Sequence, residues 1–177
     1  MNPTPKITFR QADIGDLDDV VAIGRETFMV TYSGKNTVEE ITRHLDVSFH
    51  PDRIKAEILN PESTWFFAEL ESEIAGFIKL NIGKAQTNNP EDNNLEVEKI
   101  YLRKNFQGKG LGRAMMDMAV ERARAQKVDS VWLGVWEKNP EAIAFYKHYG
   151  FRQDGFHPFI FDGELVNDLL MRLDLES

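Results

Sequence analysis

No cysteine occurs among the 177 residues, which excludes disulfides and every form of thiolate chemistry. Long apolar runs are absent too, since nothing approaches the ~18 residues that a membrane-spanning helix needs. The opening Met1-Asn2-Pro3-Thr4-Pro5-Lys6 lacks the apolar core of a signal peptide. His44, His50, His148 and His157 show no His-Glu-x-x-His spacing, so no metal site is expected. No serine stands in Gly-x-Ser-x-Gly, which argues against a hydrolase nucleophile elbow. Positive charge is in short supply: 21 Lys and Arg face 29 Asp and Glu, a net charge of −8. That balance argues against non-specific nucleic-acid binding and leans toward a cationic small molecule. Repeats, long linkers and low-complexity segments are also missing. With 42% hydrophobic and 11% aromatic residues, the expectation is one cytoplasmic domain over 1–177, with no membrane or nucleic-acid partner.

The chain instead holds a mixed order of strands and helices. Ile7 to Arg10 reads as an opening strand, and Asp16 to Tyr32 as a helix with Leu17, Val20, Val21, Ile23 and Phe28 at its apolar positions. Thr37 and Glu40 form a Thr-x-x-Glu capping box that starts a second helix to about Leu45. A short helix from Pro51 to Leu59 follows. Thr64–Leu70 and Ile74–Asn81 then make a hairpin about Glu71-Ser72-Glu73. After a polar loop from Gln86 to Asn94 comes a strand to Leu102. A helix runs from about Leu111 to Gln126, with Leu111, Ala114, Met115, Met118 and Ala119 on one face. Val131 to Trp136 is a strand. Phe151–Phe156 and Leu165–Leu173 would close the sheet, with a turn at Asp162-Gly163 between them.

The junction between the strand ending at Leu102 and the helix starting at Leu111 carries the most chemistry. Glycines at a helix N-terminus leave main-chain N–H groups unpaired beside the positive end of the helix dipole, a ready site for an anion. Lys109 and Arg113 add full charges, and a diphosphate is the natural guest. Spacing narrows the choice. A nucleotide-hydrolase loop needs Gly-Lys-Ser/Thr, and Gly112 precedes Arg113-Ala114. The dinucleotide fingerprint needs Gly-x-Gly-x-x-Gly, and counting from Gly108 the sixth place is Arg113. What fits is Gln-x-x-Gly-x-Gly, from Gln107 to Gly112.

This motif resembles the pyrophosphate-binding loop of the GNAT superfamily of N-acetyltransferases, which hold acetyl-CoA. Downstream, the segment from Leu133 to Phe151 is similar to that superfamily's second signature: a strand, Asn139-Pro140, a short helix with Ala144 and Tyr146, then Gly150-Phe151. Asn139 is a good N-cap, Pro140 suits the first helical position, and Gly150 suits a left-handed helix end. The resemblance implies an α/β fold: a central mixed, mostly antiparallel sheet flanked by helices, whose fourth and fifth strands splay apart.

The resemblance also implies roles. Main-chain groups of the Ile100-Tyr101-Leu102 strand end would meet the pantetheine arm, much as an added strand would. The amides of Gln107, Gly108, Lys109, Gly110, Leu111, Gly112 and Arg113 would hold the pyrophosphate of acetyl-CoA, with coenzyme A as product. Asn139 and the helix after it would border the thioester arm. The Leu102 N–H would meet the oxyanion. Tyr146 stands at the family's general-acid position, and a phenol stays protonated at neutral pH and can donate to a leaving thiolate. Glu98, two residues before Ile100, is the candidate base for the acceptor amine, with Glu96 in reserve.

Phe77–Asn81, Gly83–Thr87, Gly134–Glu137, Gly155–Phe159 and Asp168–Met171 look like the PaiA-type subgroup of polyamine N-acetyltransferases. That likeness implies a small amine acceptor such as spermidine or spermine, with Glu98, Glu137 and Asp162 as candidate carboxylates. A protein or peptide amine as acceptor, or an idle coenzyme A-binding protein, remain alternatives. Superfamily members often pair through strand edges or helices, so a homodimer stays open.

Overall fold

The computed structural model of the protein describes residues 6–88, 92–161 and 163–176. Its elements in chain order are β1 (Ile7–Gln11), α1 (Leu17–Tyr32), α2 (Val38–Ser48), α3 (Pro51–Leu59), β2 (Ser63–Leu70), β3 (Glu73–Asn81), β4 (Asn94–Leu102), α4 (Leu111–Ala125), β5 (Ser130–Trp136), α5 (Pro140–Tyr149), β6 (Arg152–Phe161) and β7 (Glu164–Asp174). The strands form a seven-stranded mixed sheet in the order β1-β2-β3-β4-β5-β7-β6. β1 with β2, β5 with β7 and β6 with β7 run antiparallel. β4 pairs in parallel with β5 through Asn94–Glu96 and Ser130–Trp132, one third of the nine residues of β4. The mixed, mostly antiparallel sheet matches the expected fold.

The chain divides into two compact units, 1–79 with 99–116, and 80–98 with 117–177. In the first, α1 starts at Leu17 rather than Asp16, because Ile14–Asp16 form a tighter 3-10 turn capped by Asp13. The Thr37 capping box is present: Thr37 Oγ1 accepts from the Glu40 N–H at 3.2 Å, and Glu40 Oε2 accepts from the Thr37 N–H at 2.8 Å. α2 continues to Ser48, three residues past the expected end, and Phe49 caps it by donating to the Leu45 carbonyl. Ile23, Ile41, Leu45, Phe49, Ile54, Trp65, Phe67 and Phe77 are fully buried. Each such side chain contributes roughly 1.5–3 kcal/mol of hydrophobic stabilisation. Trp65 stacks on Phe77 at 5.6 Å, and Phe49 meets Phe77 edge-on at 6.4 Å.

In the second unit β7 is central to a three-stranded ladder. Seven residues of β5 lie opposite Asp168–Asp174 on one side, and β6 lies on the other. β6 reaches Phe161, five residues past the expected end at Phe156. The added stretch includes Pro158, and because β6 is an edge strand a missing N–H is tolerated there. A register shift between Gln153 and Phe156 accommodates the bend. The Asp162 turn lies outside the described residues. Along α4 the buried stripe is Leu111, Met115, Met116, Ala119, Val120 and Ala123, so it is rotated toward Met116 and Val120. Ala114 and Met118, expected in that stripe, are only half-buried.

Gly24 in α1 tests the first unit's packing. A Cβ there would fall 2.0 Å from Phe49 Cε1, and Phe49 is 1% exposed. Alanine gains about 1 kcal/mol of helix propensity over glycine, while overpacking costs about 1–3 kcal/mol. Gly24→Ala is expected to lower the melting temperature despite its better propensity. An unchanged or raised midpoint in thermal unfolding would show that Phe49 yields freely.

Candidate active site

The donor-side geometry begins at the end of β4. The Arg103 N–H donates to the Ala75 carbonyl at 2.8 Å, so the main chain stays tied to β3 one residue beyond the strand. A 3-10 turn over Lys104–Phe106 then leads into Gln107. Gly108 has φ +74° and Gly110 φ +82°, the left-handed region where a side chain is strained. A Cβ at either position would meet nothing within 4 Å. Backbone conformation, not crowding, therefore demands glycine at both. The first bond into α4 from this turn is Ala114 N–H to the Gly110 carbonyl at 3.1 Å. The N–H groups of Leu111, Gly112 and Arg113 lie in the first turn, where no helical carbonyl precedes them. Lys109 and Arg113 are exposed beside them. Open space, oriented amides and two cations fit a diphosphate.

Gly76 explains how β4 reaches this point. A Cβ there would lie 2.2 Å from the Tyr101 carbonyl oxygen and 2.7 Å from Leu102 Cδ2. Only glycine lets the Tyr101–Leu102 main chain pass so close. Tyr101 itself turns its ring onto Phe77 at 5.7 Å and Phe28 at 6.4 Å, so any cofactor contact from it falls to its main chain. Gln107 Nε2 donates to the Leu102 carbonyl at 3.3 Å. In the same unit His44 stacks on Phe28 at 4.7 Å and lies 2.9 Å from Ser48 Oγ. Burial, then the charges of Lys99 and Arg53, lower its pKa to about 4, so the imidazole is neutral at physiological pH.

The second unit holds the carboxylates. Asn81 Nδ2 donates to Glu96 Oε2 at 3.0 Å and to Glu98 Oε2 at 2.7 Å, so one amide joins the two acids marked in the sequence. Glu96 also accepts from the Thr87 N–H at 2.9 Å and from the Thr87 hydroxyl. It is 2% exposed. Burial pushes its carboxyl pKa up, the Thr87 and Asn81 hydrogen bonds oppose this, and the neighbouring Glu98 charge adds to it. Glu98 is only half-buried and so remains the more accessible of the pair. Trp132 Nε1 donates to Gln86 Oε1 at 2.7 Å, which pins the residue next to Thr87.

α5 is built as expected. The Asn139 side chain accepts from the Ala142 N–H at 3.3 Å, Pro140 opens the helix, and Gly150 ends it at φ +125°. Tyr146 is 8% exposed, its ring edge-on to Phe145 at 5.4 Å and to Phe151 at 5.9 Å. Its position is thus held by packing. The Tyr149 hydroxyl donates to Asp117 at 2.6 Å. Of the other acceptor-side candidates, Glu137 is exposed, and Asp162 lies outside the described residues. Among the described residues no group of three or more metal-ligating side chains occurs, and no helix is long and apolar enough to cross a membrane. Sequence reasoning missed Asn81, Thr87, Gly76, His44 and Asp168. An Asn ending the buried Phe77-Ile78-Lys79-Leu80 stretch was the available signal for the first.

The model of the acetyltransferase (GNAT) family matches residues 27–151. The chain belongs to that family. It is an acyltransferase of the GNAT type. It is 36% identical over 157 residues to an uncharacterized N-acetyltransferase from Lactobacillus delbrueckii subsp. lactis, covering 89% of this chain and 91% of that one. It is 24% identical over 150 residues to a spermidine N(1)-acetyltransferase from Thermoplasma acidophilum, covering 82% and 88%. The crystal structure of PaiA N-acetyltransferase from Thermoplasma acidophilum in complex with coenzyme A superposes with a TM-score of 0.79. Its identity is 23%, over 96% of this chain and 99% of that chain.

The shared Asn81 amide gives this acetyltransferase a testable weak point. Asn81→Leu leaves two adjacent carboxylates without their common donor and is expected to lower unfolding free energy by about 2 kcal/mol or more. Adding Glu96→Gln should recover part of that loss. Glu96→Gln alone should be at least as stable as the parent at neutral pH, because its bonds survive and a buried charge is gone. A raised folded-state pKa stabilises below the unfolded value and loses that contribution as pH rises through it. The parent should therefore lose stability relative to Glu96→Gln as pH rises through the raised pKa of Glu96. Parallel denaturation curves at every pH would contradict this.

Proposed function

We propose that this acetyltransferase moves the acetyl group of acetyl-CoA directly to a primary amine, with a small polyamine such as spermidine or spermine as acceptor. The observation that carries the donor assignment is the pair of positive-φ glycines, Gly108 and Gly110, opening α4 between the exposed cations Lys109 and Arg113. When bound, acetyl-CoA supplies an acyl group already activated as a thioester.

The chain's own groups then have distinct tasks. The amides from Gln107 to Arg113 bind the diphosphate through hydrogen bonds and the α4 dipole. Main-chain groups of Ile100, Tyr101 and Leu102 pair with the amides of the pantetheine arm, and the Leu102 N–H steadies a developing oxyanion. Asn139 borders the arm from the start of α5. The Tyr146 phenol donates its proton to the departing thiolate. Glu98 takes the proton of the acceptor ammonium, directly or through water. That step has a clear cost, since an alkylammonium with pKa near 10 needs roughly 4 kcal/mol to deprotonate at neutral pH.

The polyamine assignment is supported by the acidic balance of the chain and the Glu96–Glu98 pair. It is supported also by the names of relatives such as the spermidine N(1)-acetyltransferase. An acceptor panel of spermidine, spermine and peptides tests it: turnover on polyamines is expected, and activity confined to peptides rejects it. Tyr146→Phe should cut kcat by about 10- to 100-fold while acetyl-CoA affinity, measured by calorimetry, stays within about twofold. An unchanged rate removes Tyr146 as the acid.

A further inference from the structure

Asp168 lies in the middle of β7, opposite Trp136 on β5 and opposite His157 on β6. Gly134, two residues before Trp136, has no side chain, and the Asp168 carboxylate leans over the space one would fill. A Cβ on Gly134 would stand 3.2 Å from Asp168 Oδ2 and 3.7 Å from its Cγ. Gly134 is exposed although its neighbours Leu133 and Val135 are buried. The gap is thus an open notch in the sheet face.

The notch shares its face with the carboxylates of the proposed site. Residues two apart on a strand point the same way, so Trp132, Gly134 and Trp136 share a face. Trp132 is the register partner of Glu96, and the adjacent residues Gln86 and Thr87 bond Trp132 and Glu96 respectively. Asp168 faces Gly134 on that same side. Among the described residues no side chain donates a hydrogen bond to its carboxylate. His157 is the charge acting on it, and the β5 residues against it, Gly134 and Trp136, are uncharged. Glu96 and Glu98 are satisfied by Asn81 and Thr87. Asp168 is the acid left without such donors.

We propose that Asp168, standing over the Gly134 notch, is a specificity-determining residue that receives a second, non-reacting ammonium of the acceptor. A half-buried carboxylate lacking donors is stabilised by a cation, and the neighbouring indole of Trp136 is a surface on which a cation or its methylene chain can rest. The inference rests on the polyamine reading, because only an acceptor with more than one amine has a charge to place there. It adds discrimination: a monoamine of equal reactivity gains nothing from Asp168. Burial raises the Asp168 pKa to about 6, against the opposing His157 charge. The carboxylate is therefore ionised at neutral pH and is lost as a cation site when pH falls below about 6.

The test compares spermidine with butylamine as acceptors for the parent, Asp168→Asn and Gly134→Ala. Asp168→Asn should raise KM for spermidine about tenfold or more, with kcat within about twofold and KM for butylamine unchanged. Gly134→Ala, which fills the notch, should raise the spermidine KM in the same direction. In the parent the spermidine KM should climb below pH ~6 while that of Asp168→Asn stays flat. Melting curves confirm that the variants are folded. If the parent turns over spermidine and Asp168→Asn shifts both amines equally, or lowers kcat with KM unchanged, the ammonium subsite is overturned alone. If the folded parent acetylates peptides but no polyamine, the polyamine reading falls and the subsite with it.

Discussion

Two backbone angles shape the loop on which the proposed donor site depends. Gly108 and Gly110 both sit at positive φ, and any other L-residue there would cost roughly 1–2 kcal/mol each. That turn delivers the chain from β4 into α4 with main-chain N–H groups at the helix start rather than buried in a ladder. A carbonyl-rich turn in the same place would repel a diphosphate. On the proposed reading, the two exposed cations would act on an anion already met by dipoles, so their charge would add to binding instead of replacing geometry. Upstream, Gly76 serves the same end by letting the Tyr101–Leu102 main chain approach β3 closely. Three glycines thus do by backbone shape what side-chain chemistry could not.

Acidic residues in the second unit are treated in three different ways. Glu96 is buried and receives three donors, two from Thr87 and one from Asn81. Glu98 shares the Asn81 amide but keeps access to solvent. Asp168 is half-buried with a raised pKa and, among the described residues, no donor of this kind. Taking a carboxylate from water without hydrogen bonds costs several kcal/mol, so this gradient is not neutral for stability. Glu96 behaves as a structural group, its charge tolerated because the Thr87 segment is folded around it. Asp168, lacking such donors among the described residues, is the group proposed to attract a cation. The net charge of −8 fits the same arrangement, since a basic loop for the donor is a local exception on an otherwise acidic chain.

What could be read from the sequence was local. The Thr37 capping box, the Asn139-Pro140 helix start, the Gly150 helix end and the glycine loop each depend on residues within a few positions, and each is present. The family followed from two such local signatures in the right order. Pairings across strands were not legible. Asn81 lies 15 and 17 residues from its carboxylate partners, and nothing in spacing alone says that one amide will bridge both. The extent of β6 was not legible either, because whether a strand can run through a proline such as Pro158 depends on whether that strand is at an edge. The α4 stripe was misplaced by part of a turn, since Met115, Met116 and Met118 are equally apolar and only packing chooses among them. Asp168 was marked only as part of a family-like segment; its proposed importance lies in a missing side chain on the neighbouring strand.

The proton that leaves the acceptor amine has more than one conceivable destination, and proton affinity does not separate them. His44, with its pKa near 4, is about as weak a base as an ordinary carboxylate. Charge does separate them. A neutral imidazole offers an ammonium a lone pair but no net charge, and the same Lys99 and Arg53 charges that lower its pKa would repel an approaching ammonium. An ionised carboxylate attracts the ammonium before accepting its proton, so it contributes to both binding and deprotonation. Accessibility ranks Glu98 above Glu96, which is 2% exposed and enclosed by Thr87 and Asn81. On the reading proposed here the base is therefore chosen by access: Glu98 is half-buried, whereas Glu96 is closed off from solvent.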